Sequence, residues 1–217
     1  MSKFVFLEFL KKETSKPYFE VLKKLTMLPN VTPKPNRVFF AFKNFDFDNL
    51  KVIIIGQDPY PNKGDADGMC FSSNATKCPA SLKNIFIEIK NEYPNSTFET
   101  FSLNYWKNQG VLLLNSILTN IEGKTLAHKN LGWELFNQNL LTEINSCYSN
   151  IIYLILGNNA RDFIKNIDMS KQIIVYAPHP SPLAAYKGFF GSDVFKKINF
   201  KLKSLSKDEI DWSTTKK

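Results

Sequence analysis

The sequence predicts an α/β fold: a single domain in which a central, mostly parallel four-stranded sheet is flanked by helices. Three observations carry this. Four short apolar runs, 52–55, 111–114, 151–156 and 173–175, are continuous and rich in Ile and Val, as strands buried on both faces of a parallel sheet are. Stretches with apolar residues at helical spacing lie around them, and strands alternating with helices make a layered α/β domain. Each run also leads into polar, Gly or Pro residues, and in an open parallel sheet those ends line a ligand-binding edge. The domain is expected to cover 1–217, with 1–15 and 207–217 at its periphery.

In chain order, 17–28 reads as a helix with Ser15 as its cap and Pro17 in the first turn. The run 52–55 leads into Gly56-Gln57-Asp58-Pro59-Tyr60-Pro61. A helix over 81–93 places Leu82, Ile85, Phe86 and Ile89 on one face. The run 111–114 leads into Asn115-Ser116, and Trp133–Cys147 shows a helical stripe through Leu140 and Ile144. The run 151–156 ends at Gly157-Asn158-Asn159, followed by a short helix over 161–167. The run 173–175 leads into Pro178-His179-Pro180-Ser181-Pro182, and 194–205 reads as a longer helix ending in basic residues. The polar tail 207–217 is expected to be loose apart from Trp212.

Composition narrows the function classes. Lys and Arg total 28 against 20 Asp and Glu, a formal charge of +8, which favours polyanionic partners such as nucleic acid. Three cysteines without a CxxC, and only two histidines, argue against a disulfide framework and against a Cys/His metal site. Free thiols suit a reducing cytosol, so the expected location is cytoplasmic. The N-terminus lacks the uninterrupted apolar centre of a signal peptide. No run approaches the roughly 20 apolar residues of a membrane span, so no membrane partner is expected. Neither a P-loop nor GxGxxG occurs, and no cofactor is expected.

The strand ends should bring Asp58, Asn115, Asn158 and His179 to one cleft. A carboxylate can activate water or stabilise a cation. An Asn side chain offers a donor beside an acceptor and can read the edge of a planar ring. His179, between two prolines, sits on stiff backbone and can donate to a developing oxyanion. Each has a plainer use as well: Asp before Pro starts turns, Asn caps them, and a lone His is often structural.

The segments IIIGQDPYPNKGDADGMCFS (53–72), GVLLLNSILT (110–119) and APHPSPLAAYKGFFGSDVF (177–195) resemble, in order and spacing, motifs of the family 1 uracil-DNA glycosylases. LGWELF (131–136) and Ile210-Asp211-Trp212 also fit. The resemblance implies an enzyme that flips uracil out of DNA and hydrolyses its N-glycosidic bond, leaving an abasic site for base excision repair, without lyase activity. Asp58 would activate water and stabilise the sugar cation, and His179 would donate as a neutral ring to uracil O2. Asn115 would read uracil N3–H and O4, Phe71 would stack on the ring, Tyr60 would exclude a C5 methyl, and Gln57 would support the pocket. Leu183 would wedge into the base stack. Pro79, Ser81, Gly157, Asn158, Ser181 and Lys187 would contact DNA. The partners implied are uracil-containing DNA, single- or double-stranded, and a DNA-mimicking inhibitor protein, with the enzyme a monomer.

The sequence departs from the family pattern in several places, among them Cys78, which stands where a second Pro is common, and Leu156, which replaces a frequent Trp. Pro61 stands where many members have His. Asp65-Ala66-Asp67 replaces Gln-Ala-His and is expected to add negative charge near the entrance. Asn158 replaces a Ser. His128 is read as structural. Two competing readings are a non-catalytic DNA-binding or processivity relative of the same fold, and an enzyme acting on free nucleosides. The former has no need of Asp58, Asn115, Phe71 and His179 together, and the latter no need of Leu183.

Overall fold

The computed structural model describes residues 3–216. Its helices and strands are α1 (Phe6–Thr14), α2 (Pro17–Thr26), β1 (Val31–Thr32), β2 (Val52–Gly56), α3 (Ala80–Glu92), α4 (Asn104–Asn108), β3 (Val111–Asn115), β4 (Asn120–Ile121), α5 (Trp133–Cys147), β5 (Ile152–Leu156), α6 (Asn158–Ile164), β6 (Ile173–Ala177) and α7 (Val194–Ser204). Among the described residues no helix is long and apolar enough to cross a membrane.

The four apolar runs form one parallel sheet in the order β3-β2-β5-β6. Register pairs Gly56 with Asn115 and Leu156 with Ala177, so the carboxyl ends lie along one edge. The order reverses around β2, with β3 on one side and β5 on the other. That is a topological switch point, where open α/β sheets bind ligands. All residues of β2, β3 and β5 are buried. The expectation of burial on both faces is corrected for β6. It is an edge strand whose Ile173 and Ile174 are half-buried and whose Tyr176 is exposed.

Several local expectations change as well. The helix over 17–28 ends at Thr26, and Ser15 does not cap it: its hydroxyl donates back to the Lys12 carbonyl at 2.7 Å. The helix expected over 161–167 begins at Asn158, directly after Gly157. The N-terminal segment is not peripheral. Phe4 and Phe9 join the core, and Phe9 meets Phe136 edge-on at 5.3 Å between ring centroids. The charges at Lys3, Glu8, Lys11 and Lys12 break the apolar run but leave Phe6, Phe9 and Leu10 at helical spacing.

The tail is packed rather than loose. Ile210, Trp212, Ser213 and Thr214 are buried. Trp106 Nε1 donates to the Ser213 carbonyl at 2.8 Å, and Asn199 exchanges two 2.9 Å bonds with the backbone of Ile210. Met1, Ser2 and Lys217 lie outside the described residues. A two-stranded antiparallel pair, β1 with β4, lies apart from the main sheet and aligns Thr32 with Asn120. Two-residue strands leave no periodic trace in the sequence, yet this one fixes a residue that matters to the site.

Candidate active site

A pocket of about 170 Å³ opens at the carboxyl edge of β2 and β3. It is well below the roughly 300–1,000 Å³ of sites that take drug-sized ligands, and so suits one small ring. Its walls include Gln57, Asp58, Tyr60, Phe71, Asn115 and His179. Of the four strand-end residues expected together, Asp58, Asn115 and His179 meet here. Asn158 does not. It lines a neighbouring groove of about 650 Å³ with Gly157, Arg161 and Lys187, and His179 belongs to both walls. The cause is the early start of α6, which takes Asn158 into the helix and away from the pocket.

Close approach of strand ends shapes the pocket floor. A Cβ on Gly56 would lie 2.4 Å from Asn115 Oδ1 and 2.5 Å from Cys70 Cβ, distances that no side chain tolerates. Asn115 is 7% exposed. Its backbone carbonyl and that of Ser116 accept from Asn137 Nδ2 of α5 at 3.1 and 3.0 Å. Gln57 is fixed three ways: its carbonyl accepts from Ser116 Oγ at 2.9 Å and Ile117 N–H at 3.0 Å, and its Oε1 accepts from Asn159 Nδ2 at 3.0 Å.

Asp58 is held through one oxygen. Oδ2 accepts from Asn120 Nδ2 at 2.6 Å and from the Leu126 N–H at 2.8 Å. Both bonds favour the ionised form. Burial acts the other way and prevails, raising the pKa above 3.8 against the Leu126 bond. Oδ1 has no bond among the described residues and is left for a ligand or water. Asn120 is itself pinned, since its Oδ1 accepts from Ile121 and Ala127 N–H at 3.1 and 2.8 Å.

His179 is neutral and has a defined tautomer. Burial lowers its pKa below 6.5. Nδ1 accepts from the Ser181 N–H at 3.0 Å, so the ring proton sits on Nε2, which is free to donate. The loop can come this close because residue 157 lacks a Cβ. One built there would lie 2.9 Å from His179 Cβ, at a φ of +84°.

Phe71 faces His179 with ring centroids 5.9 Å apart. Its φ is +60°, left-handed backbone that is costly for a bulky residue and clusters at functional sites. Tyr60 donates its hydroxyl to the Phe71 carbonyl at 3.0 Å. The turn before Phe71 is held from beneath by Asp67, which is 2% exposed. The expected negative charge at the entrance is therefore corrected for this residue. Asp67 points inward, accepting from the Met69 N–H at 3.1 Å and from the Ser72 hydroxyl. Ser72 Oγ in turn accepts from the Leu103 N–H at 2.9 Å.

The remaining expected residues surround this pocket. Ser81 is the second residue of α3, after Pro79 at the N-cap position, and lines the pocket. Pro79 and Ser81 also line an adjoining hollow of about 530 Å³. Leu183 stands at a loop tip, 87% exposed.

The Uracil DNA glycosylase superfamily profile matches residues 42–203. A uracil-DNA glycosylase of Mycoplasmopsis pulmonis is 41% identical over 210 residues, covering 94% of this chain and 95% of that one. The crystal structure of mimivirus uracil-DNA glycosylase superposes with a TM-score of 0.85 at 27% identity, covering 96% of this chain and 86% of that one. A variant of mimivirus UNG in complex with UGI gives a TM-score of 0.84 at 28% identity, covering 96% and 87%. The chain belongs to the uracil-DNA glycosylase superfamily.

In this superfamily member, several residues that shape the site were not anticipated from sequence: Asn120 and the Leu126 N–H on Asp58, Asn137 behind Asn115, and Asn159 on Gln57. Asn120 and Asn159 carry a signal only as polar amides close to strands, whereas Asn137 lies inside α5 and Leu126 acts through its backbone N–H, which leaves no mark in the sequence. His128 is structural, as read. It is buried, and its Nδ1 shares a 2.8 Å bond with Thr119 Oγ1, which accepts from Trp133 Nε1 at 2.6 Å.

Proposed function

We propose that this chain hydrolyses the bond between uracil and deoxyribose in DNA, with Asp58 and His179 as its catalytic residues. One observation carries the reading. A carboxylate with a free oxygen, a neutral imidazole with a free N–H, a half-buried aromatic ring and a buried amide line a single ring-sized pocket. The bond from uracil N1 to C1′ breaks with both electrons leaving on the base. His179 Nε2–H meets the negative charge growing on uracil O2, and Asp58 offsets the positive charge on the sugar. Preorganised groups of this kind act strongly in a site that excludes water. Water then adds to C1′ and gives its proton to Asp58, and the uracil anion is protonated on release.

Asn115 reads N3–H and O4; cytosine presents the opposite pattern and is refused. Phe71 stacks on the extruded base, Tyr60 occupies the space a thymine methyl needs, and Gln57 braces the floor. Leu183 fills the gap in the base stack. Pro79, Ser81, Ser181, Gly157, Asn158 and Lys187 meet the backbone, with backbone N–H and hydroxyl groups suited to phosphate. The reaction ends at the abasic site, without lyase activity. The chain acts as one domain, as a monomer and without a cofactor. Its three free cysteines suit a cytoplasmic setting. A DNA-mimicking inhibitor protein would compete for the same face.

The test is a labelled oligonucleotide with one uracil, single-stranded or paired, incubated without added metal. Alkali-dependent cleavage at the uracil is expected. An intact strand after alkali, with folded enzyme in excess, would leave the non-catalytic clamp as the better reading. Cleavage before alkali would show lyase activity.

A further inference from the structure

The loop that carries Leu183 has a bare tip and a fixed base. Leu183 and Tyr186 are 87% and 86% exposed. Below them Ala185 and Phe189 are buried, and the Ser181 carbonyl accepts from Ala184 and Ala185 N–H at 2.9 and 2.8 Å. Two further restraints come from one face of α3. Asn84 Nδ2 donates to the Pro180 carbonyl at 2.8 Å, on the side of the loop next to His179. One turn on, Glu88 receives the other side. Its Oε2 accepts from Gly191 N–H at 2.9 Å, and its Oε1 accepts from Asp193 N–H at 3.2 Å and Ser192 Oγ at 3.4 Å.

Glu88 is fully buried, and no lysine or arginine pairs with it among the described residues. A buried carboxylate without a cation is costly unless donors converge on it. Here three consecutive residues supply them, Gly191 and Asp193 through backbone N–H groups and Ser192 through its hydroxyl. The arrangement requires left-handed backbone at Gly191 (φ +76°) and Asp193 (φ +52°). A turn built around one anion has one conformation, and it closes the segment that began at His179.

We propose that Glu88 is a positioning residue for DNA entry: its carboxylate fixes the 191–193 turn so that the loop presents Leu183 rigidly to a base-paired duplex. This rests on reading Leu183 as the wedge. Pushing a side chain into stacked bases loads the loop backwards, and a hinged base would fold away. A single strand needs no such push.

The experiment measures kcat/KM for uracil in duplex and in single-stranded oligonucleotides, with thermal melts of every variant. Glu88→Ala is expected to lower the duplex value on the order of tenfold, a coupling of ordinary size for packed neighbours, and to leave the single-stranded value within about twofold. Glu88→Gln keeps the volume and one acceptor and should recover part of the loss. Combined with Leu183→Ala, Glu88→Ala should add nothing, because both act through the same contact. Glu92→Gln is the control. Glu92 accepts from Phe195 and Lys196 N–H in the first turn of α7, beyond the loop, and its removal should leave the duplex preference unchanged. Equal losses on both substrates, an additive double variant, or a Glu88→Gln variant indistinguishable from the parent would overturn the proposal. A Leu183→Ala variant with full duplex activity would sink the wedge reading itself, and this role for Glu88 with it.

Discussion

The pocket segment 56–71 and the loop 178–193 flank the same imidazole but are stabilised in opposite ways. The pocket segment is gripped along its length, by its own Asp67 and by Asn115, Asn120 and Leu126 packed against it. Gly56 leaves no space against Asn115, Asp58 is gripped by two donors, and Asp67 staples the turn that ends at Phe71. The loop keeps its tip bare and takes its order from a neighbouring helix through Asn84 and Glu88. The difference follows from what each must touch. A flipped base arrives in a site that must already be shaped, since misplacement by about 1 Å costs about a hundredfold in rate. A wedge must stay exposed until it meets a duplex, so its rigidity has to come from behind.

Four changes would break or sharpen this contrast, from the largest effect to the smallest. Asp58→Asn keeps the shape of the pocket segment and removes its charge. It should lower kcat by about 10²- to 10⁴-fold in single-turnover assays while oligonucleotide binding survives; near-normal turnover would mean that Asp58 is only a turn residue. Gly56→Ala should act on geometry alone. With a Cβ 2.4 Å from Asn115 Oδ1, the amide must move, and kcat/KM for uracil should fall by about a hundredfold. An unaffected rate would show that the floor is soft.

Gly191→Ala probes the loop. Nothing lies within 4 Å of its added methyl, so only left-handed strain, about 1–2 kcal/mol, opposes it. It should lower the melting temperature and reduce duplex activity more than single-stranded activity. The smallest effect is electrostatic. Burial raises Glu92 from 4.5 to about 7, helped by its neighbours Glu88 and Asp193. Folded protein then holds this proton more tightly than unfolded protein, so the stabilisation is full below pH 4.5 and is lost as pH rises through 7. Melting temperatures across that window should converge for Glu92→Gln and the parent at the acid end and separate towards neutral pH; a constant gap would refute the assignment.

The fold was legible where burial leaves a repeating mark. The four strand runs and the helix Trp133–Cys147 could be read directly, because continuous apolar residues and helical stripes are what a covered sheet requires. Helix α1 was hidden because its charges interrupt an apolar run without breaking its apolar face. The tail was hidden because Ile210, Trp212 and Ser213 pack through isolated contacts that have no period. At the site, Asp58, Asn115 and His179 stood out because strand ends meet along one edge. Asn120, Asn137, Asn84 and Glu88 did not, because Asn120 grips the distant Asp58 carboxylate and the other three act on backbone far away in sequence, and only the folded chain brings donor and acceptor together. Asp67 was placed by its charge alone, at the entrance, whereas the donors that draw it inward are Met69 N–H and Ser72 Oγ.

The 3.0 Å bond from the Tyr60 hydroxyl to the Phe71 carbonyl joins the ring proposed to turn thymine away to the ring proposed to hold uracil. Pruning the phenol to make room for a methyl group would also release the stacking platform, whose unusual backbone leans on that bond. Discrimination and grip are thus mechanically linked, and engineering this scaffold to release thymine would call for a compensating anchor at the Phe71 carbonyl before the bulk at position 60 is trimmed.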